Sequence, residues 1–159
     1  MNHNETLQNP RVIVVQKLYS HHLNQTSEIK YPKHRYKKFI KDVVNGTIER
    51  NELIQDYLDN ELKNDINKNK TELIVRLMIM AALYEFMFMH KTPVKVVISE
   101  YLKVSDFFVE NSQKNFLNAI LDKASKIRRV QNWLKCKYSQ LIIKIVVAFY
   151  VFFWHFALF

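Results

Sequence analysis

Between Leu73 and Met89 the chain reads LIVRLMIMAALYEFMFM, and its only charged side chains are Arg76 and Glu85. A helix this apolar must be covered on every side, so it is either a membrane span or the central helix of a compact bundle. The segments that follow favour the bundle. Thr92-Pro93 places an N-cap residue before a proline at the first helical position, which suits its fixed φ and missing N–H. Val94, Val97, Ile98, Tyr101, Leu102, Ser105 and Phe108 then recur at helical spacing as one stripe. Asn111 and Ser112 can cap a further helix, on which Phe116, Ile120, Leu121, Ala124 and Ile127 share a face. Two amphipathic helices beside an apolar one make a self-contained helical core.

The N-terminal part reads the same way. Asn9-Pro10 starts a helix over Arg11 to Leu23, with Val12, Val15, Leu18, Tyr19, His22 and Leu23 on one face. Taken alone, Val12-Ile13-Val14-Val15 is β-branched and fits a strand equally well. A second helix is expected from about Lys33 toward Arg50, burying Tyr36, Phe39, Ile40, Val43, Val44 and Thr47, with a local break at Gly46. A third, from Glu52 to Leu62, places Leu53, Ile54, Tyr57, Leu58 and Leu62 at helical spacing. The asparagine-rich stretch 64–70 links three helices before it to three after it. With one glycine and three prolines in 159 residues there is little turn chemistry for hairpins, so the fold class expected is all-α.

The net charge of +9 is unevenly spread. Residues 30–41 carry six Lys/Arg and no acid, as do residues 126–144, whereas residues 42–125 hold ten basic and thirteen acidic side chains. Two basic blocks around a mildly acidic body suggest a polyanionic partner, nucleic acid or an anionic membrane surface. The alternative is a solvated face or linker. Beyond Val130 the chain changes character, and Leu141 to Phe159 is apolar except for Lys144 and His155. Nineteen helical residues would span about 28 Å, close to the hydrocarbon thickness of a bilayer. A tail anchor held by the adjacent basic block, an adventitious tail and a hydrophobic C-terminal helix packed on the body all remain open.

Catalytic constellations do not emerge. His3, His21, His22, His34, His90 and His155 are scattered without metal-ligand spacing, and a single glycine cannot build a phosphate loop. Cys136, the sole cysteine, excludes an internal disulfide and a CxxC metal site, which fits a reducing cytoplasmic compartment. The opening Met1 to Gln8 is polar, unlike a secretory signal. The expectation is a binding protein, not an enzyme, with no metal and no cofactor.

Several of these segments carry a resemblance. Val14-Val15-Gln16-Lys17-Leu18-Tyr19 is similar to the A-x-Q-x-L-Y pattern in the first helix of the NusB family of transcription antitermination factors. Ala82 to Phe86 (ALYEF), the Pro93 to Glu100 helix and the KNFLNAILDK helix at 114–123 resemble its C-terminal half, so the similarity covers roughly Asn9 to Arg129. The resemblance implies two packed helical subdomains of about six helices. It also implies binding of boxA-type RNA together with NusE, a small-subunit ribosomal protein, in complexes that keep RNA polymerase from terminating. By position, the RNA contacts implied are Arg11, Gln16 and Tyr19 in the first helix and Asn111, Ser112, Lys114 and Phe116 near the start of the last. Arg11 and Lys114 would neutralise phosphates, and Tyr19 and Phe116 would stack on unpaired bases. Core packing is the alternative for both aromatics.

The chain departs from the family in one respect. Its arm, Met1 to Pro10, has no Arg or Lys where the family's is typically arginine-rich. Lys33, Arg35, Lys37, Lys38 and Lys41 would then form an auxiliary basic patch. The resemblance also marks Tyr84 and Glu85 as contacts for the protein partner. An unpaired carboxylate in an apolar helix is costly to bury, so Glu85 must reach a partner, the surface or an internal tyrosine or lysine. Membrane association through 141–159 stands as the alternative function. A NusB-like domain fused to an RNA methyltransferase does not fit, because this chain has neither the length nor a glycine-rich cofactor motif for a catalytic part.

Overall fold

The computed structural model describes residues 9–24, 28–62 and 71–126, and all regular structure among them is helical. The six helices are α1 (Pro10–Leu23), α2 (Lys37–Glu49), α3 (Asn51–Glu61), α4 (Leu73–Phe88), α5 (Val94–Ser105) and α6 (Asn111–Lys126). The described residues belong to one compact unit. The expectations for the arm, for the asparagine-rich linker at 64–70 and for the tail at 130–159 lie outside the described residues. Among the described residues, no helix is long and apolar enough to cross a membrane.

The apolar helix is the centre of the bundle. α4 touches all five other helices, and Val75, Leu77 through Glu85, and Met87 are all buried. Each large aliphatic side chain so covered contributes about 1.5–3 kcal/mol relative to leaving it in water. That gain comes from tertiary packing and is what holds a sixteen-residue helix with no side-chain cap at its N-terminus.

α1 is helical despite its β-branched run because Val12, Ile13, Val14 and Val15 are all buried against α2, α4 and α5. Packing overrides the weak local preference. Its start is as expected: Asn9 Oδ1 accepts from the Arg11 backbone N–H at 3.0 Å, and Pro10 opens the first turn. The buried face ends at Leu18. Tyr19, His22 and Leu23, expected to share it, are exposed or partly so, with Leu23 at 60%.

Three boundaries differ from the sequence reading. α2 starts at Lys37, because the His34 ring accepts the Tyr36 N–H at 3.0 Å and the His34 carbonyl accepts from Lys37 N, holding 34–37 in a turn. Tyr36 is therefore half-exposed, outside the core. Gly46 breaks nothing. It lies inside α2, and the chain turns four residues later at Arg50, between α2 and α3. What Gly46 supplies is room, since a Cβ at that position would overlap the Tyr84 ring of α4. Pro93 immediately precedes α5 with no side-chain cap, so Thr92 does not cap it. At α6, Asn111 and Ser112 sit within the first turn. The preceding Glu110 donates its N–H to Gln113 Oε1 at 3.3 Å and accepts Lys114 N through its carbonyl at 3.0 Å.

The buried faces shift to match. On α5 they are Val97, Tyr101, Val104 and Ser105, while Val94 is at the surface. On α6 they are Leu117, Ile120, Leu121 and Ala124, leaving Phe116 half-buried.

Candidate nucleic-acid interface

The first helix brings one charge into the core. Arg11 is 8% exposed and Glu85 only 1%. Their side chains meet as a bidentate pair, with Arg11 Nε donating to Glu85 Oε1 at 3.0 Å and Nη2 to Oε2 at 2.6 Å. The Tyr101 hydroxyl donates to Glu85 Oε1 at 2.9 Å. The guanidinium also lies over the Phe39 ring, 4.9 Å from its centroid, and 5.8 Å from that of Tyr101. Four helices, α1, α2, α4 and α5, thus contribute to one buried polar cluster. Burial would lower the pKa of Arg11, but the hydrogen bonds and charge of Glu85 outweigh it and raise the net value. Burial first, then the Glu85 carboxylate, pushes the Tyr101 phenol well above its usual range.

This cluster bears on two expectations. Arg11 is not a free surface cation, because it is 8% exposed and its Nε and Nη2 donate to Glu85. Glu85 does not face a partner; both its oxygens are taken inside the protein. The signal was available in outline, as each is an isolated charge on an otherwise apolar surface. Tyr84, the third expected contact, is 8% exposed and packed over Gly46, so it belongs mostly to the fold.

The remaining sequence candidates lie at the surface. Gln16 is exposed and Tyr19 is 40% exposed on the outer side of α1. At the start of α6, Asn111 and Ser112 are exposed and Phe116 is half-buried. Lys114 forms an ion pair with Asp106, which ties down its ammonium. α1 and α6 do not touch one another; α4 and α5 each touch both. The two groups of residues therefore sit on separate helices fixed to a common core. Lys33, Arg35, Lys37, Lys38 and Lys41 are all exposed, the first two in the turn before α2 and the others on it.

Sequence reasoning missed a groove of about 770 Å³ where α2 meets the C-terminal end of α4 and the loop after it. Its floor is Tyr84, Phe88 and Gly46. The Tyr84 and Phe88 rings are 5.2 Å apart and tilted by 32°. Arg50 stands over Phe88, its Cζ 4.6 Å from the centroid, and loosely pairs with Glu49 at 3.6 Å. Lys38, Lys41 and Lys91 add exposed cations to the rim. Nothing local marks these residues as a group, because they come from the length of α2 and from the 84–92 segment, which are far apart in the chain.

Comparison with known proteins gives a consistent result. The model of the NusB family matches residues 8–126. The chain is 30% identical over 86 residues to the transcription antitermination protein NusB of Rickettsia akari (strain Hartford), covering 54% of this chain and 55% of that protein. It is 31% identical over 88 residues to the protein of the same name from Bradyrhizobium sp. (strain ORS 278), covering 55% and 52%. The chain thus spans about half the length of the curated relatives it matches. A solved structure of T. maritima NusB shares the fold with a TM-score of 0.65 at 22% identity, covering 76% of this chain and 90% of that one.

Proposed function

The chain belongs to the NusB family, and from that premise we propose that it is a non-catalytic RNA-binding factor of transcription antitermination acting in the cytoplasm. Its RNA is a boxA-type single strand, bound together with NusE, and the pair joins the antitermination complex on RNA polymerase. The observation that carries this reading is the display of unspent recognition groups on a rigid helical body. Tyr19 and Phe116 present ring surface to solvent, and Gln16, Asn111 and Ser112 present hydrogen-bonding side chains. Unpaired bases are recognised by that combination of stacking and edge contacts. Phosphate neutralisation falls to the exposed stretch from Lys33 to Lys41, with Lys114 joining after release from Asp106.

The test is RNA binding by the full chain, with and without NusE, against boxA-type and scrambled RNA. Sequence-dependent binding that strengthens with NusE and weakens in Tyr19→Ala and Phe116→Ala supports the reading. Equal binding of both RNAs, unaffected by either substitution, removes it.

A further inference from the structure

We propose that the groove between α2 and the C-terminal end of α4 is a second single-stranded RNA subsite, in which an unpaired base packs against the Phe88 and Arg50 platform and Lys38, Lys41 and Lys91 hold the flanking phosphates. The inference rests on the RNA-binding reading above and shares Lys38 and Lys41 with its phosphate-binding stretch, but Phe88, Arg50 and Lys91 are distinct from Gln16, Tyr19 and the start of α6.

Its first support is the platform. The Arg50 guanidinium lies over the Phe88 ring, 4.6 Å from its centroid, so the ring backs a delocalised cationic plane whose outer face is the one a base stacks on. Phe88 is only partly covered although it ends the most buried helix of the bundle. The floor is shaped for this: without a side chain at Gly46, the Tyr84 ring sinks into α2 and leaves open volume above it.

Charge supplies the second support. Four cations, Lys38, Lys41, Arg50 and Lys91, line the groove with two carboxylates, Asp42 and Glu49. The three lysines are exposed, and none makes an ion pair among the described residues. Exposed Lys37, Arg35 and Lys33, just before Lys38 in the chain, add positive charge beyond the groove residues themselves. Asp42 and Glu49 argue against an acidic peptide, which they would repel along its length. A base tolerates them, because its N–H groups, the N3–H of uracil included, donate to carboxylates. The groove volume falls within the usual range of small-ligand pockets, about 300–1,000 Å³, enough to enclose a nucleobase with its sugar.

The experiment uses the full chain and a single-stranded oligouridylate carrying 4-thiouridine, cross-linked by near-ultraviolet light and mapped by peptide mass spectrometry. Cross-links at Phe88 or in the 89–92 loop are expected, separate from any at Tyr19 or Phe116. Cross-links confined to Tyr19 and Phe116 overturn the groove subsite and leave the general RNA reading standing; cross-links nowhere overturn both. Titration of oligouridylate then distinguishes the parts. Phe88→Ala is expected to weaken binding by roughly 5- to 150-fold, the usual effect of losing one stacked base. The surface variant K91Q, which leaves the floor and the Lys33 to Lys41 stretch intact, is expected to reduce the slope of log affinity against log salt by roughly 0.7, one lost phosphate contact. Unchanged affinity and slope in that variant overturn the subsite even if Phe88→Ala fails to fold. Competition by an oligoglutamate peptide at the same affinity as RNA would assign the groove to an acidic protein segment and also overturn it.

Discussion

Two arginines in this protein stand over aromatic rings, and their fates differ. Arg11 lies 4.9 Å from the Phe39 centroid and Arg50 lies 4.6 Å from that of Phe88. Arg11 has a fully buried carboxylate as a bidentate partner. Among the described residues, Arg50 pairs only with the surface Glu49 at 3.6 Å, and its side chain is 42% exposed. The same pair of residue types therefore serves as a fixed structural joint in one place and as an available surface in the other. What decides is the carboxylate: a buried one must be matched inside the fold, whereas a solvated one leaves the cation free to serve another anion.

Breaking the buried joint should give the largest effect. Glu85→Ala strands a buried guanidinium and is expected to cost about 3–5 kcal/mol in chemical denaturation. Replacing the whole cluster with apolar groups, Arg11→Met with Glu85→Leu and Tyr101→Phe, is expected to cost far less. A triple variant as unstable as Glu85→Ala would mean that packing, not stranded charge, sets the loss.

Tyr101→Phe alone removes one hydrogen bond to a buried carboxylate, worth about 1.5–3 kcal/mol at neutral pH. It also changes the pH profile. The folded pKa of Tyr101 lies above that of an unfolded tyrosine, near 10. The unfolded chain therefore releases this proton first. The associated stability is complete below about pH 10 and is lost as pH rises toward the folded value, by up to ~1.4 kcal/mol per pH unit. Denaturation midpoints measured from pH 8 upward should fall less steeply in Tyr101→Phe than in the parent chain; equal slopes would exclude Tyr101 as a source of the alkaline loss.

A smaller effect is expected at the groove floor. Gly46→Ala forces a methyl into the Tyr84 ring, which costs about 1–3 kcal/mol by overpacking, offset by up to about 1 kcal/mol of helix propensity. Adding Tyr84→Leu should restore the loss, and thermal melts of both variants test that. Arg50→Gln should be the mildest, within about 1 kcal/mol of the parent in stability, because its ion pair is solvent-exposed. A loss at Arg50 comparable to that at Arg11 would erase the contrast between the two sites.

Much of the fold is legible in the sequence because helical burial is periodic. The apolar run from Leu73 marks the central helix, Asn9-Pro10 marks a start, and the spacing of Ile54, Tyr57 and Leu58 marks a buried face. The candidate RNA-contact residues implied by the family resemblance separate only in three dimensions. Tyr19 and Phe116 look like core residues by spacing, yet the helices turn them outward. Arg11 looks like a surface cation, yet it is drawn inward by a partner 74 positions away.

The sequence by itself determined the helical segments of the described residues around α4, apart from the β-branched start of α1, because hydrophobic periodicity acts over a few neighbouring positions. It also placed an unbalanced run of positive charge at residues 30–41. Only the tertiary structure decided that Gly46 is a socket for Tyr84, that Arg11 and Glu85 satisfy one another, and that Arg50, Phe88 and Lys91 surround one groove. Each of these is a contact between segments remote in the chain, fixed by how α1, α2 and α5 pack on α4, and no local pattern carries that information.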